Sequence, residues 1–192
     1  TGLRFFVQAH FDVPVDRERI TATSEWNRWV LARVPRQLAR AAGELCADEA
    51  RARRAFRLLD VLPLRAELRG DFAMICDGLP EAFAEVPLLP GRDGAMHPPP
   101  RCVLAPPSMA ALLGGGELPG RVLWPKRPPN QQRGGVVLAP LHDPRREAVA
   151  LELGAVALEL PTFIEVLRAL LTPDAPERAP LAGCRRGDPE AM

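Results

Sequence analysis

Between Leu3 and Val13 the apolar residues Leu3, Phe5, Val7, Ala9, Phe11 and Val13 alternate with Arg4, Gln8, His10 and Asp12, and Pro14 follows at once. A period of two over this length is the pattern of a half-buried strand, whose side chains point in turn to core and to solvent. Proline ends it, because it has no N–H to give to a ladder. A strand needs a partner, yet the chain opens at Thr1 without an initiator methionine and runs almost directly into this one. The expectation is a fragment of a longer protein.

Immediately after the strand, "FDVPVDRERI" crowds charged residues into a turn, and "TATSEWNRWVLARVPRQLARAAGEL" follows. Thr23 or Ser24 can cap a helix there, whose apolar positions Trp26, Val30, Val34, Leu38, Ala41 and Leu45 recur every three or four residues. Pro35 disfavours helical geometry at Val34 and should kink or split this helix. Charged "DEARARRAF" is expected to continue helical to about Leu59, with its arginines on a solvated face.

"LDVLPL" reads as an extended break and "DFAMICDGLPEAFAEV" as a second helical piece. In "VPLLPGRDGAMHPPPRCVLAP" two short apolar runs flank Asp93-Gly94, a strong hairpin signal. "PSMAALLGG" has proline at its start and glycine past its end, as helices do. "PKRPPNQQRGG" is a loop by composition; "VVLAPL", "AVALEL" and the helix "PTFIEVLRALL", with Thr162 as its cap, restore an α/β texture. The expected fold is α+β: strand, turn and amphipathic helices over 1–60, a helix–hairpin–helix segment over 61–125, a linker over 126–135, a small α/β segment over 136–171, and a mobile tail over 172–192.

Composition narrows the function classes. Lys and Arg number 25 against 24 Asp and Glu, a net charge of +1, so neither a basic nucleic-acid face nor an acidic tail is indicated. No apolar run reaches the roughly 18 residues of a membrane span, and the N-terminus has no signal-peptide pattern. A cytoplasmic protein without membrane or nucleic-acid partners is expected. Cys46, Cys76, Cys102 and Cys184 are too scattered to seed a zinc site and read as reduced thiols. His10, His97 and His142 stand far apart with no acid at ligand spacing, so no metal is expected. Ser24 and Ser108 occupy capping contexts, and "LLGGGELPGR" lacks the Lys-Ser/Thr of a phosphate loop.

That leaves Arg17, Glu18 and Arg19, with Trp26, Asn27 and Trp29 close behind. One reading is a polar turn before a helix that buries two tryptophans. The other is that the strand end and helix start hold an arginine where its planar fork can grip phosphate oxygens.

The order strand, "FDVPVDRERI", short gap, "WNRWVL" and proline-bearing helix resembles a segment of sacsin-like and NO VEIN-like proteins. In that segment an apolar-x-Pro-x-x-Arg-Glu turn precedes a Trp-Asn pair. It is similar, more distantly, to the middle domain of the ninety-kilodalton heat-shock chaperones, where the turn's arginine reaches the terminal phosphate of ATP bound in the preceding domain. Pro14 matches the proline, Arg17 and Glu18 the Arg-Glu pair, and Trp26 and Asn27 the Trp-Asn pair. Asp16 stands where the chaperones have serine. "LPL" and the Asp-Gly hairpin further on also resemble the sacsin-like order.

The resemblance implies a segment just downstream of a Bergerat-type ATPase domain, whose nucleotide-binding motifs are not in this sequence. ATP and magnesium would be cofactors of the full-length parent and none of this chain alone. Arg17 and Glu18 would be catalytic, with Arg17 touching the γ-phosphate; Pro14, Trp26, Asn27 and Trp29 would be structural, the tryptophans as core anchors. The partners implied are the upstream ATPase domain and protein clients. The alternative is a non-catalytic protein-interaction scaffold in which the Arg-Glu turn is merely structural.

Overall fold

The computed structural model of the chain describes residues 2–15, 20–21, 23–48, 51, 54–113 and 135–171. It is a mixed α and β protein in which short strands are embedded among helices and 3-10 turns. Two helices open it, α1 (Glu25–Leu31) and α2 (Val34–Ala47). They are the one helix expected from the sequence, split between them at Ala32 and Arg33 because Pro35, in the first turn of α2, can give no N–H to a helix running through it. Ser24 caps α1 by accepting the Asn27 N–H.

At Asp48 the backbone turns extended, with ψ 110°, so α2 stops short of the continuous run to Leu59. The helical path resumes at Arg51 and Arg54 and tightens into a 3-10 turn at Phe56–Asp60. After two further 3-10 turns, Arg65–Glu67 and Gly70–Ala73, comes α3 (Met74–Ala82), which packs along α2. The close approach rests on Gly78, where a Cβ would come within 3.0 Å of the Pro35 ring.

The Asp-Gly signal does mark a hairpin. Strands β1 (Leu89–Pro90) and β2 (Met96–His97) pair antiparallel, and the Asp93 carboxylate accepts the Ala95 N–H across the turn. Next come β3 (Cys102–Leu104), α4 (Pro107–Leu113), β4 (Val136–Val137), α5 (Pro144–Glu152), β5 (Val156–Ala157) and α6 (Leu160–Leu171). β3 lies at the centre of a three-stranded parallel sheet in the order β4-β3-β5. Parallel strands need crossovers, and α5 lies on the one from β4 to β5, which passes over β3 between them. The hairpin is stitched to β4 by Arg92 N–H donating to Val137 O and Ala139 N–H donating to Pro90 O. Because α6 begins at Leu160, Thr162 sits inside its first turn and is not its cap.

Most buried side chains form one cluster running from Leu31 and Ala42 through Leu59, Ile75 and Phe83 to Leu141 and Leu153. A smaller cluster joins Val103 and Val137 of the sheet to Phe163 and Val166 of α6. The linker expected over 126–135, apart from Gly135, and the tail over 172–192 lie outside the described residues.

The expected N-terminal strand is corrected. Residues 3–13 belong to no ladder among the described residues, and the alternation holds in part: Leu3, Phe5, Val7 and Phe11 pack half-buried against the main cluster, whereas Ala9 and Val13 are exposed. Alternation reports which side chains face the core; a ladder needs a second strand, and none of the described strands pairs with this segment.

Candidate functional site

Asn27 is the buried polar side chain among the described residues, 1% exposed, and it is fully used. Its Oδ1 accepts the Asp12 N–H at 2.8 Å, and its Nδ2 donates to Asp12 O at 2.8 Å and Thr21 O at 3.0 Å. Thr21 N–H also donates to Asp12 O at 2.9 Å, and Ser24 Oγ donates to the Asp12 carboxylate. Asp12 and Thr21 are therefore held to each other through one amide. That amide is fixed in turn by its place in the first turn of a capped helix.

Arg17 and Glu18 fall between these two residues in sequence and lie outside the described residues. Pro14 is half-buried and Val15 is fully exposed.

Trp26 and Trp29 are not core anchors. They are 47% and 49% exposed, stacked on each other with ring centroids 5.0 Å apart and 15° between planes. The buried stripe of α1 and α2 runs through Asn27, Leu31, Val34, Ala39 and Ala42, about one position round from the expected face. The amide can take this place because three backbone partners satisfy it, whereas an indole there would bring a single donor. Trp26 Nε1 donates instead to His10 O, tying α1 to the N-terminal segment.

Between that segment and α1–α2 runs an apolar groove of about 540 Å³, walled by Phe5 and Val7 on one side and by Trp26, Trp29, Val30 and Leu38 on the other. Arg33 lies over the Trp29 ring at 4.2 Å, a cation held on an aromatic face at the rim. Of the sequence-predicted residues the structure brings Trp26, Asn27 and Trp29 together. It adds Phe6 and Arg33, which sequence reasoning passed over. The signal for Phe6 was present: it is an apolar residue on the polar face of the alternating segment, and it is fully exposed.

The remaining charged clusters hold the fold. Arg145 donates to both carboxylate oxygens of Glu67 at 2.7 Å and to the carbonyls of Leu59 and Leu62 at 2.7 Å. These bonds hold the Glu67 carboxyl down to about 2. Arg146 makes a similar fork to Asp60. His97 Nε2 shares a hydrogen bond with Asp93 across the hairpin. Burial pushes the Cys76 thiol up to about 11 and the Cys102 thiol up to about 12, so at neutral pH neither is a nucleophile. Among the described residues no three His, Cys, Asp or Glu side chains gather closely enough to hold a metal, and no helix is long and apolar enough to cross a membrane.

No protein-family model, curated protein or solved structure matches this chain.

Proposed function

We propose that this chain is a middle segment of a sacsin-like, chaperone-type ATP-binding protein, in which Arg17 meets the γ-phosphate of ATP held with magnesium by a preceding ATPase domain. The observation that supports it is the Asn27 clamp. The clamp fixes Asp12 and Thr21 on either side of Arg17 in the sequence, and a segment whose two ends are locked together loses less freedom on engaging a ligand than a free one does. An arginine so carried supplies a planar, permanently charged fork to phosphate oxygens. Its chemistry is electrostatic: positive charge placed where negative charge builds in phosphoryl transfer, with no bond made to the protein. Glu18 would orient Arg17 or the adjacent helix. The Trp-Asn pair of the resemblance acquires a division of labour, Asn27 joining Asp12 to Thr21 and Trp26 tying the helix to the preceding segment.

Steady-state ATP hydrolysis by the full-length protein is the test. Arg17→Ala should lower kcat by about a thousandfold while leaving KM nearly unchanged, since a contact made in the transition state acts on turnover. Arg17→Lys should rescue only part, and Arg19→Ala should be mild. Equal turnover for parent and Arg17→Ala removes the catalytic reading. A second reading, a protein-interaction module, is favoured by one observation: the exposed, aromatic-walled groove beside the clamp.

A further inference from the structure

We propose that this groove docks an extended, apolar segment of polypeptide bearing a carboxylate, which adds as a strand to the backbone around Phe5–Ala9 and lays its side chains on Trp26 and Trp29. The inference rests on the interaction reading of the groove and not on Arg17.

Three independent observations converge on that occupant. The first is backbone: residues 3–8 alternate in burial, the chain bends at Arg4, Phe5 and Ala9, and the segment joins no ladder among the described residues, so its backbone groups outside a ladder are a template for a strand. The second is surface: Phe6 is fully exposed and the stacked tryptophans half-exposed, an apolar face beside that edge. The third is charge. The described lining residues include Arg33 and His10 and no Asp or Glu, so the rim favours a partner that brings an acid. Strand addition uses such parts together, main-chain hydrogen bonds giving affinity and alternate side chains specificity.

Other occupants fit less well. A helix or a small apolar molecule fills the groove but leaves the strand edge unpaired. A second copy, paired antiparallel about Val7, sets Arg4 opposite His10 and brings no acid to Arg33.

The test uses the 192-residue chain and a synthetic probe, Ac-Val-Thr-Val-Glu-Val-Thr-Leu-NH2, followed by tryptophan fluorescence and by amide exchange. Saturable binding is expected, with slowed exchange at Phe6 to Ala9. Trp29→Ala should weaken binding about tenfold or more, with folding checked by circular dichroism. The same peptide N-methylated at alternate residues should bind about tenfold more weakly, because its ladder donors are gone. With Arg33→Glu the preference should reverse in favour of a peptide carrying Lys in place of Glu.

Three results overturn the proposal: no saturable binding, equal binding of the N-methylated peptide, or a Trp29-dependent dimer in sedimentation that the peptide does not dissolve. None of these measurements reads ATP turnover, so their failure is separable from that of the Arg17 reading and from an interaction through another surface.

Discussion

Asn27 and Trp26 are neighbours in sequence and opposites in energetics. Replacing Asn27 by alanine orphans the Asp12 N–H and withdraws a donor from the Thr21 carbonyl, while the Asp12 carbonyl keeps the Thr21 N–H, and each part-buried group left unpaired costs about 1 to 3 kcal/mol at most. Asn27→Ala should therefore destabilise by about 2 to 4 kcal/mol. Trp26→Ala removes a half-exposed ring and one hydrogen bond and should cost about 1 kcal/mol. Urea unfolding followed by circular dichroism ranks the two; a larger loss for Trp26→Ala would show that the ring, and not the amide, holds this region together. Composition would give the opposite ranking, because a tryptophan at helical spacing reads as core. Which side of a helix faces inward depends on the partners it meets, and here the partners are three backbone groups.

At the scale of elements, the hexapeptide AVALEL occurs twice, and the two copies fold differently. Ala148–Leu153 runs in α5 up to its C-cap, Leu153, burying Val149, Ala150 and Leu153 at helical spacing. In 155–160 the same residues give β5, which pairs with β3, and then the start of α6. The first copy inherits a helix already begun by Asp143 as N-cap and Pro144 in the first turn. The second follows Gly154, whose φ of +104° ends that helix in a conformation L-residues rarely adopt. Gly154→Ala should cost about 1 to 2 kcal/mol through backbone strain. Thermal melting checks it, and an unchanged midpoint would show that the sheet, not the glycine, sets the boundary.

Across the whole molecule, Arg145 in the first turn of α5 bridges the C-terminal part to the Leu59–Glu67 segment. The pH dependence of this link has a definite sign. The Glu67 pKa is lowered from 4.5 to about 2 in the fold, so its stabilisation is present above pH 4.5 and lost as pH falls toward 2. Glu67→Gln should be less stable than the parent at pH 7, and the gap should close between pH 4.5 and 2. Denaturation series across that range measure it; a gap that stays constant with pH would assign the loss to packing and not to charge.

The local signals were legible in the sequence because they are encoded by neighbouring residues. The Ser24 cap, the proline split of the first helix, the Asp93-Gly94 hairpin and the alternation from Leu3 to Phe11 all depend on contacts within a few positions. So did the grouping of Trp26, Asn27 and Trp29, which share one short helix. What each of them does was not legible. The burial of Asn27 depends on Asp12 and Thr21, outside its helix, and the outward turn of both tryptophans follows from it. The lack of a ladder for the N-terminal segment among the described residues, the β4-β3-β5 order and the two fates of AVALEL depend on residues far along the chain. Periodicity says how much of an element is buried; only the packed structure says against what, because identical local preferences are satisfied by whichever distant partner arrives.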